Sequence, residues 1–181
     1  KLNMSIMKIR SLFLTLFCGI CFSVSAQVDT FQQCTIEYLN NNGTDAQYGQ
    51  TYDEIFDVLK NQFEVPEKVW SELKEDKAES IQDAIAFLSF AYRKHFTEVE
   101  VTDMATFYKT EAAQKMISKD SNLSEDDTEQ INAFFNSDLG KKIDAKREAL
   151  SVDTDEISRQ WSRDLFAEKM GVLVKKGYST K

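Results

Sequence analysis

Residues 97–116 read TEVEVTDMATFYKTEAAQKM, and residues 124–143 repeat the pattern 27 positions later as SEDDTEQINAFFNSDLGKKI. In both copies the apolar residues recur at the three- and four-residue spacing of one face of an α-helix. The equivalent positions are Met104 with Ile131, Phe107-Tyr108 with Phe134-Phe135, Ala113 with Gly140, Lys115 with Lys142, and Met116 with Ile143. We therefore predict a helical hairpin whose two arms bury matching apolar stripes.

Each copy also begins with a helix-capping pattern. Thr97 is followed three residues later by Glu100, and Ser124 is followed by Asp127. A hydroxyl in this position accepts a hydrogen bond from an early backbone N–H, and the positive end of the helix favours the acidic side chain. Residues 119–122, between the copies, have the composition of a turn. The two copies are therefore expected to form separate helical arms.

The rest of the chain has the composition of a helical protein, with a single proline, Pro66, and six glycines. Apolar stripes predict helices over residues 31–39, 48–63 and 81–95, and another that opens at Pro66. A last helix is marked by Ile157, Trp161, Leu165 and Val172, with Asp153 and Glu156 near its start. We predict an all-α fold: a single compact domain of five to seven helices over residues 27–181, containing a duplicated helical-hairpin motif.

The first 26 residues have the layout of a secretory signal peptide. Lys8 and Arg10 precede an apolar run over residues 12–22, and Val24-Ser25-Ala26 supplies the small residues of a cleavage site before Gln27. The run has 11 residues, whereas a membrane-spanning helix needs about 20. We therefore expect cleavage between Ala26 and Gln27, no stable membrane span afterwards, and export to the periplasm or the extracellular space.

The net charge of the chain argues against two classes of partner, nucleic acids and anionic membrane surfaces. The chain has 22 basic and 30 acidic residues, and loss of Lys1, Lys8 and Arg10 with the signal would leave 19 basic residues and a net charge of −11. Such a surface repels phosphate backbones and anionic lipids, so nucleic-acid binding is not expected.

Cys34 would be the single remaining cysteine. It cannot form an internal disulfide, and we expect it to be buried, with pairing to another chain as the alternative.

No motif for catalysis, cofactor binding or metal binding is found. His95 is the only histidine, which excludes zinc sites that need two or more. His95 lies just before Phe96-Thr97, where a basic side chain interacts favourably with the end of a helix. A catalytic pair of Cys34 and His95 is the alternative. The acidic runs at 125–127 and 153–156 fall where helix starts are expected, and they lack the spacing of a calcium loop. No cofactor is expected.

The aromatic pairs of the two copies are the candidate partner groove. Adjacent residues on a helix point about 100° apart, so Phe107 and Tyr108 cannot share one direction, nor can Phe134 and Phe135. One member of each pair is expected in the core. The other packs against a neighbouring helix or lines a groove that receives a partner helix. We expect Trp70 and Trp161 to pack in the core, and the alternative is that they belong to an interface with a partner.

Residues 92–98, YRKHFTE, followed by Phe107-Tyr108-Lys109-Thr110, resemble a bacterial family known as domain of unknown function 2059. The resemblance covers roughly Tyr48 to the end of the second copy. It implies an α-helical exported domain and brings no catalytic residues. This chain has Ala112-Ala113 where the family has a small residue and a glycine, which favours a continuous helix through Ala113.

These observations predict a non-catalytic envelope or secreted module that binds another envelope protein or a small apolar ligand. The alternative is a hydrolase that acts on envelope glycans or peptidoglycan through Asp and Glu side chains. The residues favour no particular carboxylate pair for that chemistry, and they leave the oligomeric state open.

Overall fold

The protein is described by a computed structural model over residues 29–119 and 122–181. Eight helices lie in these residues: α1 (Thr30–Asn41), α2 (Thr44–Gln62), α3 (Glu67–Leu73), α4 (Lys77–His95), α5 (Glu98–Tyr108), α6 (Glu111–Ile117), α7 (Glu125–Asn136) and α8 (Asp138–Lys175). Within those ranges there is no strand, and Phe63 and Thr180 form an isolated bridge. The predicted all-α fold is confirmed. The predicted signal peptide, with its cleavage site at Ala26 and Gln27, lies outside the described residues.

Both predicted capping patterns are present as reciprocal hydrogen bonds. The Thr97 hydroxyl accepts from the Glu100 N–H at 3.3 Å, and the Glu100 carboxylate accepts from the Thr97 N–H at 2.8 Å. At α7, Ser124 accepts from the Asp127 N–H at 3.0 Å, and Asp127 accepts from the Ser124 N–H at 2.9 Å. Each box satisfies two backbone donors that the first turn of a helix leaves free. The local sequence therefore fixes where both arms begin.

Each repeat copy consists of two helices rather than one. Thr110 and Ser137 are equivalent residues with extended backbone, and their hydroxyls accept from the N–H groups of Ala113 at 3.2 Å and Gly140 at 3.1 Å. Ala113 lies inside α6, but a single helix across the whole first copy, which Ala112-Ala113 would favour, is not formed, because Thr110 ends one helix and caps the next. The break at Thr110 adds one helix, whereas the second half of the second copy is continuous with the last helix, so the described residues hold eight helices, one more than the upper end of the expected range.

The last helix is longer than its sequence pattern suggested. It starts at Asp138 and runs for 38 residues. The expected start near Asp153 is wrong, and residues 153–156 lie inside α8. The acidic side chain of Asp153 instead bonds His95, the last residue of α4, with 2.8 Å between Oδ2 and Nε2. A carboxylate that suits a helix start can equally serve as an ion-pair partner for a neighbouring helix.

Helix α8 joins two parts of the hydrophobic core. It packs along α2 and α4, while α1 packs on α4 and α5. One core cluster surrounds Tyr38, Ile85 and Met104, and the other surrounds Phe56 and Leu173. Trp161 lies against both clusters. In the described part of the chain, no helix combines the length and apolar character that crossing a membrane requires.

A candidate binding groove beside the repeat

The two repeat copies contact each other through equivalent residues. Phe107 and Phe134, which occupy the same place in each copy, stack with ring centroids 3.8 Å apart and planes 2° from parallel. Each ring belongs to the last turn of its helix, α5 or α7, just before the break. A contact between equivalent residues is what a two-fold arrangement produces. The duplicated motif is therefore packed as an isologous pair within one chain.

Two ion pairs repeat the same reciprocity. Lys115 of the first copy bonds Asp127 of the second at 2.9 Å, and Lys142 of the second bonds Glu100 of the first at 2.7 Å. The lysines are equivalent to each other, as are the two acids. The Lys115 ammonium, helped by hydrogen bonds from Ser124, lowers the pKa of Asp127 to about 2. Lys142, with Thr97, holds the pKa of Glu100 below its ordinary value. Each acid thus caps its own helix and binds the other copy.

The glycine of the second copy is required by a close approach. A Cβ added at Gly140 would lie 2.4 Å from the Phe135 carbonyl oxygen and 2.5 Å from that of Phe134. Both obstacles are backbone atoms of the preceding helix, which cannot move independently of the break at Ser137. Ala113, at the equivalent place in the first copy, is fully buried with its own Cβ. The two breaks are therefore similar in capping but not identical in packing.

The four aromatic residues of the candidate partner groove are brought together at the joint between the copies. Phe107 is buried, Tyr108 and Phe134 are half-buried, and Phe135 remains 40% exposed. Phe135 meets Phe107 edge to face with 5.9 Å between centroids, and Tyr108 meets Tyr38 at 5.4 Å. Within each pair the first ring faces the other copy. A partner groove at these four residues stays a prediction, of which Phe135 is the accessible part.

A separate groove of about 710 Å³ lies between α4 and α8. Its lining combines apolar side chains with carboxylates. The apolar residues are Ala84, Phe87, Ile157, Trp161 and Leu165; the acidic ones are Asp76, Glu79, Asp83, Glu156, Asp164 and Glu168; Ser80 and Gln160 complete it. Its volume is in the range of ligand-binding clefts, about 300–1,000 Å³. The groove is the candidate functional site.

The floor of the groove is held rigidly, whereas its edge offers exposed aromatic surface. The Trp161 Nε1–H donates to the carbonyl and to the hydroxyl of Ser80, each at 3.2 Å, and the indole lies 4.9 Å from the Tyr48 ring. Phe87 is 63% exposed and Phe90 is 51% exposed. Residues three apart share one face of a helix, so these rings form a continuous apolar edge along α4. Large apolar side chains clustered in this way mark interaction surfaces.

The rim is negatively charged, and half of its six carboxylates have a cationic partner: Arg159 pairs with Glu156 at 3.3 Å, and Lys169 pairs with the other two. The buried Lys169 bonds Asp76, and also bonds Glu168 at 3.0 Å. Burial opposes ionisation of Asp76, but the hydrogen bonds from Lys169 and Tyr52 outweigh it and keep the pKa of this carboxyl below its ordinary value. Within residues 29–119 and 122–181, Glu79 and Asp83 form no salt bridge. The lining contains neither Lys nor Arg. A bound ligand therefore meets an apolar floor between carboxylates.

Other candidate chemistry is accounted for by packing. The described ranges hold no group of three His, Cys, Asp or Glu side chains placed to bind a metal ion. The His95 ring and Lys94 both bond Asp153, and they hold the pKa of its carboxyl below its ordinary value. His95 is thus bonded to Asp153 rather than to Cys34. The Cys34 thiol is free and half-buried against the first core cluster. The bonds of His95 and Lys94 to Asp153 join α4 to α8.

Sequence reasoning did not identify the groove, although α4 carried a signal for it. The predicted buried stripe of this helix includes Ile81, Ile85 and Leu88, which are buried. Phe87 and Phe90 fall outside that stripe, so they lie on a different face of α4 from the residues that are buried in the core. Large aromatic residues on the second face of a helix, in register with Glu79 and Asp83, indicate an additional surface. The contribution of α8 required knowing which helix packs beside α4.

Comparison with protein families gives two adjacent matches to one family, described as an uncharacterized protein conserved in bacteria (DUF2059), at residues 82–121 and 120–168. The junction falls between α6 and α7, so each match contains one copy of the repeat. The predicted resemblance is confirmed, although the matched region starts at residue 82 instead of near Tyr48 and continues beyond the second copy. Neither a curated protein nor a solved structure matches the chain.

Proposed function

We propose, from the premise that residues 82–168 belong to the bacterial family DUF2059, that the protein is an exported, non-catalytic binding module. Its ligand site is the groove between α4 and α8. Most of the groove, from Asp83 and Phe87 to Glu168, lies within the matched region. The ligand has an apolar body, because the floor is apolar, and it carries no excess negative charge, because the rim is acidic.

The observation that carries this proposal is the exposure of Phe87 at the edge of a preformed groove. A phenyl ring left 63% exposed forgoes much of the burial free energy that it would gain in a core. The neighbouring Trp161 is fixed by hydrogen bonds, so a ligand that covers both rings need not order the floor. A binding site that is already ordered loses less entropy when the ligand arrives.

Binding is tested with N-phenyl-1-naphthylamine, a neutral apolar fluorophore that brightens when it leaves water. We expect the wild-type protein to enhance its fluorescence and Phe87→Ala to reduce that enhancement. Val99→Ala is the matched control, because Val99 is 70% exposed and lies outside the groove lining. Equal enhancement by wild type, Phe87→Ala and Val99→Ala would refute the groove as the apolar site.

Export rests on residues 1–26, whose basic start, apolar run and small residues at 24–26 match a cleavable signal. The test is fractionation of bacteria that express the chain, followed by N-terminal sequencing. We expect the protein outside the cytoplasm, beginning at Gln27. An uncleaved chain retained in the cytoplasm would contradict export. Periplasmic and extracellular locations are separated by comparing the periplasmic fraction with the medium.

Hydrolysis by groove carboxylates is the weaker alternative. A general acid at neutral pH needs a raised pKa, which apolar surroundings provide. The pKa of Asp76 is shifted in the opposite direction, because Lys169 and Tyr52 stabilise its ionised form. A screen on peptidoglycan and glycans separates the two functions: hydrolysis abolished by Asp83→Asn would favour the enzyme, and its absence on these substrates favours binding.

A further inference from the structure

We infer that the groove receives one face of a basic amphipathic α-helix from a partner protein. This inference rests on the proposed binding function and adds the shape and charge of the ligand. It follows from three features of the groove: its length, the arrangement of its aromatic side chains, and the charge of its rim.

The groove has the length of several helical turns. On one side its lining extends from Asp76, the residue before α4, to Phe87, and along α8 it extends from Glu156 to Glu168. At 1.5 Å per residue, these segments are about 17–18 Å long. An extended channel between two neighbouring helices suits a third helix laid along it, with apolar anchors spaced at i, i+3 or i+4, and i+7. A compact small molecule would occupy only part of this length.

The aromatic residues are placed as anchors for such a helix. Trp161 lies in the floor, Phe87 lies at the edge, and Phe90 continues the edge by about one turn beyond the groove. Residues of this type contribute disproportionately to the binding energy of protein interfaces. A partner helix that covers Phe87 and Phe90 would bury apolar surface that the free protein leaves in water.

The rim determines the charge of the partner. Six carboxylates line the groove; Lys169 compensates Asp76 and Glu168, and Arg159 compensates Glu156. Lys or Arg side chains that flank the apolar stripe of a partner helix would reach Glu79, Asp83 and Asp164 at the rim. Such complementarity raises the association rate and excludes acidic competitors. The same carboxylates repel anionic lipid surfaces and so oppose adsorption of this face on them.

A second copy of this chain is a poor occupant. In a symmetric pair each groove would face the same groove of the other copy, so carboxylate would meet carboxylate. The chain as a whole is acidic, with a net charge of −8. Like charges brought together in an interface oppose association. The partner is therefore a different protein with a basic helix.

The inference is tested with three labelled peptides of about 14 residues, or about four helical turns. The first is an amphipathic Leu/Lys helix, the second is its Leu/Glu counterpart, and the third is a scrambled Leu/Lys peptide of the same composition. Fluorescence anisotropy gives the Kd of each for the full chain. The variants are Phe87→Ala for the apolar edge and Asp83→Lys for the rim, with Val99→Ala and Asp103→Lys as exposed controls outside the groove.

We expect the Leu/Lys helix to bind more tightly than the scrambled peptide, and the Leu/Glu helix not to bind. Phe87→Ala and Asp83→Lys should each weaken the Leu/Lys affinity by about tenfold or more, whereas both controls should leave it unchanged. Circular dichroism verifies that each variant is folded. Equal binding of the scrambled peptide, or an affinity that Phe87→Ala leaves unchanged, would overturn the inference.

The result also separates this inference from the proposed function. If N-phenyl-1-naphthylamine binding depends on Phe87 but the Leu/Lys helix does not bind, the groove takes small apolar ligands and the helical partner is refuted. If neither probe depends on Phe87, the proposed binding site fails as well. Displacement of the fluorophore by the Leu/Lys helix supports both.

Discussion

Replacing Gly140 with alanine should destabilise the protein, even though alanine is the better helix former. The added Cβ would meet the carbonyl oxygens of Phe135 and Phe134 at 2.4 and 2.5 Å. Real Cβ contacts to these atoms need at least 3.0 Å, so the junction between α7 and α8 must open by more than half an ångström. Overpacking of this kind costs about 1–3 kcal/mol. The gain in helix propensity returns up to about 1 kcal/mol, which leaves a net loss of up to about 2 kcal/mol when that gain is realised in full.

Gly171→Ala is the matched control in the same helix. Nothing lies within 4 Å of a Cβ at Gly171, so the propensity gain of about 0.5–1 kcal/mol should appear as increased stability. Urea unfolding followed by circular dichroism measures both changes, provided that the m-value stays constant. Equal stabilisation by Gly140→Ala and Gly171→Ala would refute the close approach at the repeat junction, and with it the explanation for the glycine.

Acidification should weaken the joint between the repeat copies. The pKa of Asp127 is about 2 in the folded protein and about 3.9 in the unfolded chain. The contribution of this carboxylate to the free energy of unfolding is therefore complete above pH 4 and declines as the pH falls toward 2. The urea midpoint of wild type should therefore decrease over this interval more than that of Asp127→Asn, and parallel curves would contradict the ion pair. A double-mutant cycle of Phe107→Ala and Phe134→Ala should give a coupling free energy of about 0.5–1.5 kcal/mol in urea unfolding, and additivity would contradict the stack. Thr110→Ala should cost about 1 kcal/mol through the lost helix cap, measured the same way; Thr106→Ala, exposed in the interior of α5, is the control and should cost nothing.

The fold was predictable from the sequence where local chemistry determines it. The capping pairs at Thr97 and Ser124 start their helices as expected, because the side chain and the backbone that it caps are only three residues apart. The same locality explains α1 and α4, whose apolar stripes agree with the prediction, although α4 begins at Lys77, four residues before its predicted stripe. Apolar periodicity alone did not reveal the break at Thr110, since a stripe can continue across a cap without losing its spacing.

Contacts between distant helices were not predictable in this way. Asp153 resembles a helix start in sequence, yet it pairs with His95 because α8 continues through it and passes the end of α4. The reciprocal pairs of Lys115 and Lys142 also depend on how the two copies pack. The repeat itself contained the information that these lysines are equivalent, but the identity of their partners required the packed arrangement. The groove required it as well.

The most direct test of the α4/α8 groove is to map the binding surface by NMR. The amide chemical shifts of the ¹⁵N-labelled protein are recorded while the Leu/Lys helix is added. We expect the largest changes in residues 76–90 and 156–168, together with the indole N–H of Trp161. Changes concentrated instead around Phe107, Tyr108, Phe134 and Phe135 would place binding at the repeat joint and contradict the groove.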